Sequence, residues 1–201
     1  MLLQAESILL TLHLRPAINL TEEQFFEFCQ LNRDLRIERT AEGDLLIMPP
    51  EGFETGKRNA DLTIDLGVWA RRDGSGLVTG SSAGFTLPNG AVRAPDAAWV
   101  RRSRLEAMTP EQRRRFIPLC PDFVIELRSP TDSLSFLQAK MQEYVDNGAQ
   151  LGWLIDPDQR RAYVYRPDRQ VELLENPSEI SGDPVLPGFT LNLQRIWETG
   201  L

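Results

Sequence analysis

Apolar and polar positions along the chain alternate between strand-like runs and helical stripes. The runs at 35–39 and 45–48 flank an Ala-Glu-Gly-Asp turn and predict a hairpin. Further runs predict strands near 77–80, 84–87, 92–100, 123–127, 151–155, 161–166 and 171–174. Helical spacing predicts a short helix after the capping-box pattern 21–24, and further helices over 55–72, from Thr109 to 113–115, and over 133–147. This alternation predicts a mixed α/β fold.

The stretch from Cys120 to Lys140 organises the rest of the chain. Its strand, 123–127, has the continuous apolar character of a strand buried on both faces, yet Glu126 interrupts it. A buried carboxylate needs a partner, because burying a lone charge is costly. Asp132 or Ser133 then caps a helix that carries Lys140 on the edge of its apolar stripe. The pattern therefore predicts a carboxylate and an amine near one end of a sheet.

Two further acidic residues are candidates for the same neighbourhood. Asp96 starts an otherwise apolar run, and Glu54 stands at or just before the first turn of a predicted helix. If the strands of Asp96 and Glu126 are neighbours, the two carboxylates supply ligands for Mg²⁺, and the Leu127 carbonyl adds a third. A metal held in this way activates water and screens the charge of a phosphate under attack, with Lys140 orienting the water or stabilising the transition state.

Each of these residues also has an ordinary structural interpretation. An aspartate after proline is commonly a strand-end residue, and a glutamate in an apolar strand can form a structural salt bridge. A lysine such as Lys140 can lie along an apolar edge with its amine in water. The order helix, strands, Asp96, strand, Glu126, helix, Lys140 is more informative than any single member.

Composition limits the classes of protein to which the chain can belong. Its 201 residues, 41% hydrophobic and 25% charged, indicate a single domain over 1–201. The net charge of −7 argues against binding nucleic acid by bulk charge. Cys29 and Cys120 lack metal-site spacing and indicate buried thiols in a reducing compartment, and the single histidine, His13, indicates a structural role. The interrupted N-terminal run 2–14 predicts neither a signal peptide nor a membrane span, so a cytoplasmic location is expected.

Several motifs together resemble one known family. They are Met48-Pro49-Pro50 with Glu54, Pro95-Asp96, the segment 121–132 with its Glu-x-x-Ser-Pro motif, Lys140 with Tyr144, and 148–157. In these the chain resembles the Uma-type restriction endonuclease family, once a domain of unknown function, of the PD-(D/E)XK nuclease superfamily. The resemblance implies a restriction-endonuclease-like mixed β-sheet flanked by helices, with a core over about 20–197. It also implies Mg²⁺ or Mn²⁺ held by Asp96 and Glu126, Glu54 as an additional acidic contributor, and DNA as substrate.

The chain departs from the superfamily pattern at one position. The usual lysine two residues after the glutamate is replaced by Arg128, which is no general base. The resemblance suggests that Lys140 has taken over the lysine role, while Arg128 either clamps a phosphate or pairs with a neighbouring acid.

The leading interpretation is a metal-dependent DNA endonuclease, for which a homodimer would suit double-strand cleavage. The basic clusters 101–104 and 113–115 are either phosphate contacts or an ordinary solvated surface. The alternative is a non-catalytic nuclease fold that acts as an interaction or nucleic-acid-binding module, and Mg²⁺ or Mn²⁺ binding distinguishes the two. A nucleotide phosphohydrolase ranks last, because the sequence has no P-loop glycine motif.

Overall fold

The computed structural model describes residues 9–198, so most of the N-terminal run 2–14 lies outside the described part of the chain. The strands are β1 (Leu10–Leu12), β2 (Arg36–Arg39), β3 (Leu45–Met48), β4 (Gly76–Gly80), β5 (Phe85–Thr86), β6 (Val92–Arg93), β7 (Ala97–Arg101), β8 (Phe123–Leu127), β9 (Leu151–Asp156), β10 (Arg161–Tyr165), β11 (Glu172–Glu175), β12 (Glu179–Ser181) and β13 (Thr190–Asn192). The helices are α1 (Glu22–Leu31), α2 (Phe53–Asp73), α3 (Arg102–Glu106), α4 (Pro110–Arg113), α5 (Leu134–Asp146) and α6 (Gln194–Trp197).

The fold is built around two larger β-sheets. Six strands form the central sheet in the order β11-β10-β9-β8-β7-β4, and five strands form a second sheet in the order β1-β3-β2-β6-β5. The central sheet is mixed: β8 runs parallel to β9 and antiparallel to β7. Since parallel neighbours need a crossover connection, α5 joins β8 to β9 and packs on the sheet between them. A mixed sheet flanked by helices confirms the predicted fold class.

Strand β8 is buried on both faces, as its sequence predicts. On one face, Phe123 and Ile125 pack with Leu62 and Leu66 of α2. On the other, Val124 packs with Met141 of α5. The segment 180–197 adds Ile180, Leu186, Phe189, Leu191 and Ile196 to the α2 side, so the C-terminal segment covers this side of the central sheet. Glu126, two residues after Val124, therefore faces α5.

The predicted strand 92–100 is wrong in one respect, because the chain divides it between the two sheets. Strand β6 pairs with β2 and β5, whereas β7 pairs with β4 and β8. Pro95 lies between them, and proline has no N–H to donate to a continuous ladder. The break leaves Asp96 at the point where the chain passes from one sheet to the other.

Helix α5 begins one residue later than predicted. The Ser133 hydroxyl caps it by accepting the Phe136 N–H at 3.4 Å, and Gly148 follows its end with a positive φ of 112°. Both cysteines are free thiols, Cys120 buried and Cys29 half-buried. Among residues 9–198, no helix is both long and apolar enough to cross a membrane.

Candidate active site

Asp96 lies beside the end of β8 that carries Glu126. Ala97 is opposite Ile125 in the antiparallel β7–β8 ladder, so the two strands are neighbours, as the metal hypothesis requires. The Asp96 carboxylate accepts the Leu127 N–H at 2.8 Å, which fixes the aspartate against the next strand. Asp96 and Glu126 are both buried and line the same cavity, of about 1050 Å³.

Lys140 reaches Glu126 from α5. Its Nζ lies 2.8 Å from Glu126 Oε1, and the Tyr144 hydroxyl donates to the same oxygen at 3.0 Å. All three side chains are almost completely removed from solvent. The expected contact between the Lys140 ammonium and Glu126 is therefore confirmed, while the role of that contact in catalysis remains a prediction.

A second buried carboxylate, Glu38 of β2, holds the same ammonium. Lys140 Nζ donates to Glu38 Oε1 at 2.9 Å, so the amine lies between two glutamates. Glu38 also accepts the Ala94 N–H at 3.0 Å and pairs with Arg93 at 3.2 Å. Sequence reasoning missed Glu38, because a glutamate in the short, charged strand Arg-Ile-Glu-Arg is typical of a solvated edge.

The buried charges set the protonation states of this group. Burial raises the pKa of Glu126 to about 7, with Lys140 acting against the rise and Asp96 adding to it. Burial alone would raise the pKa of Glu38, but Lys140 and Arg93 hold it below its ordinary value. Burial alone would lower the pKa of Lys140, but Glu126 and Glu38 raise it above its ordinary value. Lys140 is therefore an ammonium at neutral pH.

Arg36 and Glu51 complete the surroundings of Asp96. The Arg36 guanidinium lies 3.2 Å from Asp96 Oδ1 and 3.0 Å from Glu51 Oε1. The Asn59 amide donates to the other Glu51 oxygen at 2.8 Å. Burial raises the pKa of Glu51, and the charge of Asp96 adds to the rise. Glu51 therefore lies within the electrostatic field of the site, although no feature of its loop sequence singled it out.

The structure places the predicted acidic contributor Glu54 on the rim of the cavity. Its side chain is 57% exposed and forms a 3.5 Å ion pair with Arg58 one turn along α2. It lines the same cavity as Asp96 and Glu126. Glu51, three positions before Glu54, is the acidic residue that shares the partner Arg36 with Asp96.

Arg128 is engaged within the protein. Its Nη1 lies 2.7 Å from the buried Asp156 carboxylate, and its Nε donates to the Asp132 carbonyl at 3.2 Å. The sequence leaves two roles open for Arg128, clamping a phosphate or pairing with a neighbouring acid. The structure shows the pair with an acid, and the side chain also lines the cavity.

The basic clusters lie away from the cavity. Arg101 and Arg104 pair with the buried Asp122, and Arg115 pairs with Glu23. Arg101 is the last residue of β7, and Asp96 stands just before its first residue. At the rise of an extended strand, the two residues are about 16 Å apart. These arginines do not line the cavity that holds Asp96 and Glu126.

The residues at the site fit a divalent cation in chemistry and in charge. Within residues 9–198, no three His, Cys, Asp or Glu side chains form a ready-made metal cluster. Mg²⁺, however, is usually held by one or two carboxylates together with water and substrate phosphates. Two neighbouring groups of ion-paired side chains together comprise three cations and five carboxylates, a formal charge of −2 when all are ionised: Lys140 and Arg93 with Glu38, Glu126 and Glu143, and Arg36 with Asp96 and Glu51.

Comparisons with known proteins agree on the family. The model of the Uma2 family, described as "Putative restriction endonuclease", matches residues 22–194. Among solved structures, the chain is similar to "a putative nuclease belonging to DUF820" from Anabaena variabilis ATCC 29413, with a TM-score of 0.71 and 19% identity over 89% of this chain and 98% of that one. No curated protein matches the chain. The fold is the restriction-endonuclease-like mixed sheet that the family resemblance implies, and the chain belongs to the Uma2 family.

Proposed function

We propose that the protein is a metal-dependent endonuclease that hydrolyses phosphodiester bonds in DNA at the site formed by Asp96, Glu126 and Lys140. One observation carries this proposal: a buried ammonium contacts Glu126 beside a second carboxylate, Asp96, in an open cavity. Membership of a family described as "Putative restriction endonuclease" supports the reaction class and the DNA substrate.

The side chains divide the work of phosphodiester hydrolysis. When held by Asp96, Glu126 and the Leu127 carbonyl, Mg²⁺ or Mn²⁺ supplies charge neutralisation at the phosphate and a lowered pKa for water. Lys140, a permanent donor at neutral pH, orients the attacking water or stabilises the charge that develops on the phosphate. Tyr144 orients Glu126, and Arg36 orients Asp96.

A non-catalytic interaction or nucleic-acid-binding module is the alternative, and two observations favour it. The charged side chains nearest Lys140 already have partners inside the protein, and the basic clusters lie away from the cavity. Binding of Mg²⁺ or Mn²⁺ is required by the enzyme and not by the module.

The testing experiment is cleavage of supercoiled plasmid and of single-stranded DNA with Mg²⁺, Mn²⁺ or chelator. We expect cleavage only with metal, and loss of cleavage in Asp96→Asn. Asp122→Asn is the matched control, because Asp122 is also buried and also accepts a backbone N–H, but it precedes β8 and lies beside Arg101, at the end of β7 remote from Asp96. No cleavage by the wild type, or full activity in Asp96→Asn, would contradict the proposal.

A further inference from the structure

We propose that Glu38 is a positioning residue, which holds the Lys140 ammonium against Glu126. The effect of Glu38 on catalysis rests on the proposed nuclease function, whereas the effect of Glu38 on the position of the Lys140 side chain does not. The residue comes from β2, in the five-stranded sheet, and reaches the site from outside the central sheet that carries Asp96 and Glu126.

The first argument is the geometry of the ammonium. Lys140 Nζ is 2.9 Å from Glu38 Oε1 and 2.8 Å from Glu126 Oε1, so two carboxylates on different sheets fix its place. A lysine side chain has four rotatable bonds, and a single partner leaves the amine a wide arc of positions. The second carboxylate restricts that arc and offsets the cost of burying the ammonium.

Glu38 is itself held firmly. It accepts the Ala94 N–H at 3.0 Å and pairs with Arg93, whose Nε lies 2.6 Å from the Glu143 carboxylate. Glu143 follows Lys140 by three positions on α5, so the two residues are neighbours on the helix surface. The Glu38–Arg93 pair therefore binds α5 at two points and sets the position of the helix relative to β2.

The same face of β2 serves both functional groups. Arg36 and Glu38 are two positions apart and point to one side of the strand. Arg36 contacts Asp96, and Glu38 contacts Lys140. Strand β2 thus presents one side chain to the proposed metal ligand and one to the proposed electrostatic group.

The chain offers a direct measurement of Lys140, because its sequence contains only two lysines, Lys57 and Lys140. The Lys57 side chain is 37% exposed on α2, whereas Lys140 is buried. Reductive methylation read by mass spectrometry should modify Lys57 quickly and Lys140 slowly in the wild type. In Glu38→Gln, which keeps an acceptor for the Ala94 N–H but loses the charge, we expect Lys140 to be methylated at least about tenfold faster.

Turnover provides the second measurement. Glu38→Gln should lower kcat by about 10- to 100-fold with KM little changed, the usual scale for loss of an orienting partner. In a Lys140→Ala background, Glu38→Gln should not lower kcat further, because Glu38 acts only through Lys140. Glu143→Gln is a milder change, because it removes a partner of Arg93 and leaves Glu38 in place. It should lower kcat by a smaller factor, and it replaces Glu38→Gln in the test if Glu38→Gln does not fold.

Asp122→Asn is again the control, since it removes a buried carboxylate that pairs with Arg101 and Arg104 and has no contact with Lys140. It should leave both the methylation of Lys140 and kcat unchanged. The proposal is overturned if folded Glu38→Gln or Glu143→Gln keeps Lys140 protected and turnover intact, or if the losses simply add in the double variant. If the wild type cuts no DNA, the nuclease proposal fails, while the methylation rates still decide the role of Glu38.

Discussion

At the scale of single residues, the central feature is a lysine held as a cation. Because Glu126 and Glu38 raise the pKa of Lys140 above its ordinary value, the amine donates hydrogen bonds at neutral pH and does not accept a proton. A general-base role for Lys140 is therefore disfavoured, and orientation of water or stabilisation of developing charge is the chemistry available to it.

Replacing Lys140 tests this role. Lys140→Ala should cut turnover by about 10²–10⁴-fold, the scale of a positioned electrostatic group, with metal binding retained. Arg128→Ala should cost less and act mainly on substrate affinity, because Arg128 is engaged with Asp156. Steady-state kinetics and calorimetry measure both effects, with the exposed Lys57→Ala as control.

Removing Lys140 also leaves two buried carboxylates without their shared cation, so thermal unfolding must accompany the kinetics. The mechanism is wrong if Arg128→Ala abolishes cleavage while folded Lys140→Ala stays near the wild-type rate.

At the scale of elements, the end of the central sheet remote from Asp96 depends on close packing. Gly76 begins β4 opposite Arg101 of β7, and the indole of Trp99 lies against its Cα. A Cβ there would meet the Trp99 ring and would lie 2.5 Å from the Val100 carbonyl oxygen. The ring is buried in the core and the carbonyl belongs to the backbone, so neither can move aside cheaply.

Gly76→Ala should therefore destabilise the protein by about 1–3 kcal/mol, the range for an overpacked core. Gly67→Ala is the matched control: it lies within α2 with nothing within 4 Å of its Cβ position, and should stabilise by about 0.5–1 kcal/mol through helix propensity. Urea denaturation of the two variants measures both changes. Equal stability of the two variants would count against the packing described for β4.

At the scale of the whole molecule, the site is net negative, as the chain is. The chain carries −7, and the two ion-paired groups around Lys140 and Asp96 together account for −2 of it when ionised. Asp96 contributes to the raised pKa of Glu126, so the site favours a proton or a metal cation over two bare carboxylates.

Divalent metal should for this reason raise the melting temperature. Mg²⁺ or Mn²⁺ at a hundred times its dissociation constant should add about 2.7 kcal/mol of stability, reversed by chelator. Asp96→Asn should fold normally, because it relieves repulsion from Glu126, and should lose the stabilisation. Calorimetry measures the affinity directly, and an unchanged Mn²⁺ affinity in Asp96→Asn would count decisively against Asp96 as a ligand.

The parts of the site that sequence predicts are those encoded by local patterns. The apolar run around Glu126 predicts a doubly buried strand, and the position of Lys140 beside the stripe of α5 predicts its inward direction. Glu38 has no such local signal, because its partner Lys140 lies 102 positions away and only the packing of one sheet on another joins them. Glu51 was missed in favour of Glu54 because the Pro-Pro-Glu-Gly loop has no periodicity to show which side chain points inward.

The long separation between Glu38 and Lys140 also bears on synthesis of the protein. The ribosome makes β2, which carries Glu38, early in synthesis. The Lys140 ammonium that pairs with Glu38 is made only with α5. Strand β9 must then follow before β8 has its parallel neighbour. A nascent chain that ends before α5 contains Asp96 and Glu126 without their shared surroundings. Any activity of this site therefore begins only after residues 36–156, from β2 through β9, have left the ribosome.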